Sequence, residues 1–397
     1  MMLFQLFLFF LCLLALPDLY IYRRYLRDQA PRWVRWFHWV PSGLLLVFMT
    51  ILFLLHEPQP ASMQRLGLFL LVFLAITVPK ALFALTLLTV RGLDRLTSRW
   101  CHRLQNRRWQ GTYLASAVAI AIASFGTVIY GATEGIQHYQ VREVDIVSAD
   151  LPPGFDGYRI VQLSDIHAGS WAGNPEAVQC AVDRINEQHP DLIVFTGDLV
   201  NNLATEVDEF LPILKQLHAR DGIYSVLGNH DYSPYIAWES PAAQQANLDS
   251  LQAKQAAMGW KLLNNDHVLL YHDGDSIALC GVENSGRPPF PDHGDLPRAL
   301  QGTEGLFRIL LSHDPTHWRR EVLPQSDVQL TLSGHTHDMQ INILGFTPSR
   351  FVYPEHNGLY REGEQQLFVN IGLGHLMFPL RLGAWPEITL LTLKTKK

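Results

Sequence analysis

The sequence predicts two parts of different fold class: an all-α transmembrane region of about four helices, then a mixed α/β (α+β) soluble domain. Three observations carry this. Residues 1–131 hold four long apolar stretches. From Val141 onward, short β-branched runs alternate with amphipathic helical stretches. In that second part, Asp, Asn and His residues collect just after the apolar runs. At 397 residues the chain exceeds one compact domain of ordinary size. The expected division is residues 1–131 as membrane region, 132–157 as linker and first strand, and 158–397 as the soluble domain.

The apolar stretches run from Leu3 to Tyr22, Val40 to Leu55, Leu66 to Val90 and Tyr113 to Tyr130. Each is near the length of about 20 residues that a bilayer core requires. The first lacks a basic start and a small-residue cleavage site, so it reads as a span and not a removed signal. Arg23, Arg24, Arg27, Arg32 and Arg35 follow span one. Arg91, Arg95, Arg99, Arg103, Arg107 and Arg108 follow span three, whereas loop two has Arg65 beside Glu57. Arginine collects in cytoplasmic loops, so loops one and three are expected to face the cytoplasm. The soluble domain then lies extracytoplasmically, on an inner or plasma membrane. Trp33, Trp36, Phe37 and Trp39 among the loop-one arginines give that loop an interfacial character. Lys80, beside Pro79, reads as the one charge well inside a span, with no acidic partner visible in the spans. It is either a functional site or a snorkelling residue. Sparse polar chemistry of this kind favours an anchor over a transporter.

The net charge of −6 gives no case for a nucleic-acid partner. None of the four cysteines forms a CxxC pair, which argues against a thiolate zinc site. Cys180 and Cys280 would pair only in an oxidising compartment, and two buried free thiols are the simpler reading.

In the soluble half, strands are expected over Tyr158–Leu163, Leu192–Phe195, Ile223–Leu227, Phe307–Leu311 and Val328–Leu332. Helices are expected from Asn174 to Gln188, with an Asn-Pro start, and from Glu206 to His218. Lys261–Glu283 and the tail Leu367–Leu393 read as β-rich, and Ser285–Leu296 as an irregular loop. Each polar block follows a strand: Asp165-Ile166-His167, Gly197-Asp198, Gly228-Asn229-His230-Asp231, Ser312-His313-Asp314 and Gly334-His335-Thr336-His337. The loops past the carboxyl ends of strands are where such sheets gather their sites.

Carboxylate and carboxamide oxygens with imidazole nitrogens are the donors that two adjacent divalent metals take. Alone, each block is weak, since Asp-x-His is common and Gly-Asp after a strand is usually a turn. The joint pattern is rare. In extended backbone the two-residue spacing puts Asp165 and His167 on one face, and likewise His335 and His337. Asp198 can bridge two metals through its two carboxylate oxygens, and Asn229 offers a neutral one. Two divalent cations carry four positive charges and the two aspartates offset two, which leaves room for a bridging hydroxide and an anionic phosphate. Such coordination lowers the pKa of water to about 7. His230 is then the natural proton donor to a departing alkoxide, with Asp231 holding its other ring nitrogen. The plain alternative for His230 is a satisfied turn residue.

With all five blocks in order from Tyr158 to the C-terminus, the sequence resembles the calcineurin-like metallophosphoesterase superfamily, in particular its membrane-tethered bacterial subgroup. The resemblance implies a four-layer αββα sandwich and a dinuclear centre of manganese, iron or zinc. It implies Asp165, His167, Asp198 and His337 at one metal, and Asp198, Asn229, His313 and His335 at the other, with His230 as catalytic histidine. Two positions depart from the family pattern: Asn201, where many relatives have aspartate, and Asp338-Met339, where the subgroup often has Gly-Gly.

The expected activity is hydrolysis of a phosphomonoester, phosphodiester or pyrophosphate. A phospholipid or polyprenyl phosphate is the expected partner, because a short link follows the last span and Leu376–Leu380 is an apolar run. The competing expectations are a non-catalytic membrane sensor and a transporter-linked domain that keeps the metal site. Arg287, Arg361 and Arg381 are phosphate-binding candidates by charge type alone.

Overall fold

A computed structural model describes residues 2–54, 60–97 and 107–396. Glu57, Arg99, Cys101 and Arg103 lie outside the described residues. The chain divides into two compact units. One comprises Met1–Thr133 with Met377–Leu380; the other comprises Glu134–Leu376 with Arg381–Lys397.

The first unit is helical: α1 (Met2–Ile21), α2 (Arg32–Phe37), α3 (Val40–Leu54), α4 (Pro60–Thr97) and α5 (Arg107–Ala132). Among the described residues, three stretches are long and apolar enough to cross a membrane: Arg32–Leu54, Arg65–Leu93 and Gly111–Gln137. α1 supplies a further apolar helix of 20 residues. Leu14, Leu45, Met49, Phe69 and Phe73 form the unit's buried cluster, so α1, α3 and α4 pack together.

Lys80 does have an acidic partner, contrary to expectation. Its ammonium lies 2.8 Å from Oδ1 of Asp18, which is fully buried, and it donates to Ser42 Oγ at 2.9 Å. His38 Nε2 lies 3.6 Å from the same carboxylate. An apolar setting makes an unpaired charge costly, and four segments contribute to this one polar knot. Asp18 escaped notice because it sits in the last turn of its span, beside Pro17.

The second unit contains β1 (Gln140–Ser148), β2 (Arg159–Leu163), α6 (Pro175–Asn186), β3 (Leu192–Phe195), α7 (Leu211–Leu214), β4 (Ile223–Ser225) and α8 (Pro241–Ala257). There follow β5 (Trp260–Leu262), β6 (Asp266–His272), β7 (Asp275–Gly281), α9 (Leu296–Leu300), β8 (Arg308–Leu311), α10 (Leu323–Gln325), β9 (Leu330–Ser333), β10 (Gly358–Glu362), β11 (Gln365–Val369) and β12 (Glu387–Thr395). One sheet has the order β1-β12-β2-β3-β4-β5, the other β10-β11-β9-β8-β7-β6. β1 pairs in parallel with β12 along its whole length, so the stretch read as linker and first strand contributes an edge strand to the sheet.

Alternation of side chains explains the layers. Ile160, Leu192, Val194, Ile309, Leu330 and Phe368 point between the sheets and form one buried cluster. Val161, Ile193 and Phe195 point the other way, onto α6 residues Val178, Val182 and Ile185. Cys280, Leu310 and Val369 meet Leu296, Ala299 and Trp318 on the far face. The result is the expected αββα stack. Gln162 crosses the middle, donating from Nε2 to the Ser333 carbonyl at 2.8 Å.

The expected helix from Glu206 to His218 is broken into a short turn, Ala204–Val207, and α7. Pro212 cannot donate to a preceding carbonyl. Glu206 is also diverted, its carboxylate accepting from the amides of Gly169, Asn201, Asn202 and Leu203. The tail forms two strands separated by a long loop, and Leu376–Leu380 forms no strand. Cys180 and Cys280 are both free, and Cys180 is exposed where burial was expected.

Candidate metal centre

All five polar blocks occupy loops past the carboxyl ends of strands: Asp165 and His167 after β2, Asp198 after β3, Asn229 to Asp231 after β4, His313 after β8, His335 and His337 after β9. Asp165, His167, Asp198, His335 and His337 all have positive φ, between 48° and 74°. Left-handed backbone costs a non-glycine residue of order 1–2 kcal/mol, a strain that surrounding structure must hold and that collects at functional sites. It also corrects the sequence argument. Asp165 and His167 converge through two left-handed bends, not through extended alternation. Gly197 adopts φ 98°, and a Cβ there would come within 2.8 Å of His313 Nδ1, so glycine lets the β3 and β8 loops close together.

Two donor groups result: Asp165, His167 and His337; and Asp198, His313 and His335. In the first, His337 Nε2 is 3.0 Å from His167 Nε2 and 3.2 Å from Asp165 Oδ1. In the second, His313 Nε2 is 3.1 Å from Asn229 Oδ1, 3.2 Å from His335 Nδ1 and 3.2 Å from Asp198 Oδ2. Asp198 Oδ2 also lies 3.7 Å from His167 Nε2, so it faces both groups. Its Oδ1 is engaged by the His230 amide at 2.8 Å. A single carboxylate oxygen therefore stands between the groups, where both oxygens had been expected to share the task. His335 and His337 divide between the two groups, and do not share one face.

These separations fit resident cations. Donors about 2.1 Å from a common ion stand roughly 3.0–3.4 Å apart in tetrahedral or octahedral arrangements. Asp165 Oδ1 is buried with no hydrogen-bond partner, while its Oδ2 accepts from the His335 amide at 3.0 Å. An orphaned carboxylate oxygen of this kind is expensive unless a cation meets it. The charges agree. Burial opposes ionisation of Asp198, yet the charges of His313 and His230 hold it well below the usual carboxylate range. Burial works against a charged His313 too, but the Asp198 carboxylate and its hydrogen bond drive that imidazole up to about 10. The pocket at Nε2 thus calls for a positive charge. His167 and His335 are held below their usual range, chiefly by burial, as neutral ligands require.

The supporting contacts are less evident from sequence. Asn229 donates from Nδ2 to Tyr235 Oη at 2.7 Å, which turns its oxygen toward His313. His335 Nε2 is 3.0 Å from Tyr353 Oη, and Phe290 packs edge-on against its ring. Arg381 is not a substrate-facing group. It is fully buried, spends its donors on the carbonyls of Ile371, Gly372, Gly374 and Ala384, and stands 3.1 Å from His337 Nδ1. Arg361 bonds Gln366 in β11, and Arg287 is exposed. Tyr235 lies four residues past Asp231, a proximity that could have flagged it; Tyr353 and Arg381 carry no local signal.

Asp231 also differs from expectation. Its carboxylate does not hold His230. Oδ1 accepts from the amides of Leu199 (2.8 Å) and Val200 (3.3 Å), and Oδ2 from those of Asp198 (2.9 Å) and Gly228 (2.9 Å). It ties the β3 and β4 loops together. Burial and the Asp198 charge push it up to about 7, against the pull of the Gly228 and Val200 amides. His230 is oriented instead by the Asn201 carbonyl, 2.7 Å from Nδ1. A backbone oxygen fills that role whatever side chain stands at 201.

Comparison with known proteins places this geometry. Residues 158–339 match the Calcineurin-like phosphoesterase family, and residues 4–136 match a family described as a probable calcineurin-like phosphoesterase transmembrane domain. A transmembrane protein with metallophosphoesterase domain from Danio rerio is 29% identical, spanning 98% of this chain and 89% of that one. A Bacillus subtilis metallophosphoesterase is 33% identical over 72% of this chain and 96% of its own length. Among solved structures, a dimetal phosphatase from Danio rerio aligns at 13% identity with a TM-score of 0.34, covering 55% of this chain and 88% of that one. The chain belongs to the calcineurin-like metallophosphoesterase family, as a membrane protein whose helical region precedes the metallophosphoesterase fold.

Proposed function

We propose that the protein hydrolyses a phosphoester with two divalent cations, manganese, iron or zinc, held by Asp165, His167, Asp198 and His337 on one side and Asp198, Asn229, His313 and His335 on the other. The observation that carries this is Asp198 Oδ2, which faces His167 and His313 together. When bound, such cations supply a water acidic enough to attack at neutral pH and stabilise charge growing on the phosphoryl oxygens. The chain's own residues do the rest. The Asn201 carbonyl accepts a hydrogen bond from His230 Nδ1–H, which leaves Nε2 to carry a proton to the departing oxygen. Tyr235 fixes the Asn229 oxygen, and Asp231 holds the Asp198 and Gly228 loops in register. Phe290 and Tyr353 flank His335 edge-on and fix its ring.

The substrate class we favour is an ester reached from the membrane, a phospholipid or polyprenyl phosphate, in line with a membrane region in the same chain. The arginine bias of loop one supports an extracytoplasmic site. The test is hydrolysis by manganese-loaded full-length protein of lipid phosphates beside soluble chromogenic mono- and diesters. Asp198→Asn must abolish turnover, and His230→Ala must lower it about 10²–10⁴-fold. A fully metal-loaded, inactive native protein would instead favour a non-catalytic sensor. Labelling of exposed Cys180 by a membrane-impermeant maleimide in intact cells tests the orientation, with Cys180→Ser as control.

A further inference from the structure

The turn after α1 and the short helix α2 carry charge of one sign. Arg23, Arg24, Arg27, Arg32 and Arg35 stand against Asp28 alone, and Asp28 is already paired with Arg27. Here the surface of the helical unit holds an open cavity of about 430 Å³ lined by Tyr22, Arg32, Arg35, Trp36 and Trp39. Arg35 spends one donor on the Arg27 carbonyl (2.8 Å). Arg32 is exposed and forms no hydrogen bond or ion pair among the described residues. Tyr22 lies against Trp39 with ring centroids 5.4 Å apart, which stiffens the wall. Two guanidinium groups with open donors, framed by indole and phenol rings, suit a phosphate with an amphipathic body behind it.

An apolar track leads away from this cavity. Trp36, Val40, Leu44, Val47, Ile51 and Leu54 recur at steps of four and three, the spacing of one helical face. The backbone keeps helical turns between α2 and α3, with Trp39 N bonded to Trp36 O and Gly43 N to Trp39 O. All six side chains are exposed, Trp36 at 76% and Leu54 at 73%. α3 alone gives this track a length of about 22 Å. A free inorganic phosphate would use the arginines and leave the track bare.

We propose that this cavity binds the phosphate of an anionic phospholipid, with an acyl chain lying along the Trp36–Leu54 track. This site belongs to the helical unit and stands independently of the hydrolytic reading.

The experiment uses full-length protein in an uncharged detergent, stripped of lipid, with retention followed by native mass spectrometry. The probes are phosphatidylglycerol, phosphatidylcholine and inorganic phosphate. Phosphatidylglycerol is expected to be retained in preference to phosphatidylcholine. Each arginine near a membrane surface is worth about 1 kcal/mol, so Arg32→Gln should weaken that retention about five-fold and Arg32→Gln/Arg35→Gln about thirty-fold. The single variant touches no internal hydrogen bond, so it reads the site even if the double variant misfolds. Arg23→Gln/Arg24→Gln removes equal charge outside the cavity and should cost clearly less. Equal retention of the two lipids would overturn the proposal. So would an Arg23/Arg24 loss as large as the Arg32/Arg35 loss, or displacement of phosphatidylglycerol by equimolar inorganic phosphate.

Discussion

Replacing Asp231 by asparagine separates two roles for that residue, holding the loops or holding the catalytic imidazole. The carboxylate takes four buried amides, two on each oxygen. An asparagine keeps one oxygen and sets its NH2 group against the other pair of N–H donors. Two buried donors then go unsatisfied, at about 1–3 kcal/mol each, so the expected loss is about 4 kcal/mol. For a unit of this size that corresponds to a fall in Tm of roughly 8–16 °C. The assay is thermal unfolding of the detergent-solubilised chain, run beside a pH–rate profile. The variant should melt early, while the pH dependence of whatever turnover survives should stay in place, because His230 keeps its Asn201 carbonyl. A variant that melts within 2 °C of the native chain yet shifts the pH–rate profile would refute this reasoning and restore the reading in which Asp231 orients His230.

Further outcomes follow from the same contacts. His230→Ala should lower turnover about 10²–10⁴-fold while metal content per chain is unchanged; metal loss in step with activity would show the ring to be structural. Asp18→Asn leaves half-buried Lys80 without its counter-charge and should destabilise the helical unit by about 2–4 kcal/mol, with Asp18→Asn/Lys80→Met recovering most of it; thermal unfolding within 1 kcal/mol of native for Asp18→Asn would contradict this. His375 is driven down to about 3 by burial and the charge of Arg381. Its unfolded form gains a proton below about pH 6.5 and its folded form does not, so its share of stability is complete above 6.5 and erodes as pH falls toward 3. Between pH 6.5 and 5 that erosion amounts to about 2 kcal/mol, and a His375→Phe variant should lack it in urea titrations.

The site was legible because metal chemistry restricts residue types so strongly. Asp165, His167 and His337 meet in one donor group and Asp198, His313 and His335 in another, with Asn229 Oδ1 3.1 Å from His313 Nε2. What the chain order hid was the backbone that brings them there. Left-handed bends at Asp165 and His167 are weakly signalled, since Asp and His enter that region more readily than most residues but in few of their occurrences. Asp231 was misread because adjacency to His230 suggested contact, whereas a tight loop turns neighbouring side chains apart. α8 went unread because its buried face is slight, with Leu251 and Gln255 its buried residues, so its periodicity is weak. Asp18 and Lys80 lie 62 positions apart in sequence, and no pattern within a single span announces such a pairing. Strands were clearer, since β3, β8 and β9 are short, wholly buried runs, and β2 is buried but for Arg159, each closed by a polar block.

The central claim is a pair of cations shared across Asp198. Its most direct test is manganese content per chain after loading and gel filtration, measured together with phosphoester turnover for native, His335→Ala and His337→Ala protein. Two equivalents in the native chain, about one in each variant, and turnover lost in both is the expected result. A folded native chain that retains one equivalent or none, or a variant that keeps full turnover with one, would contradict it.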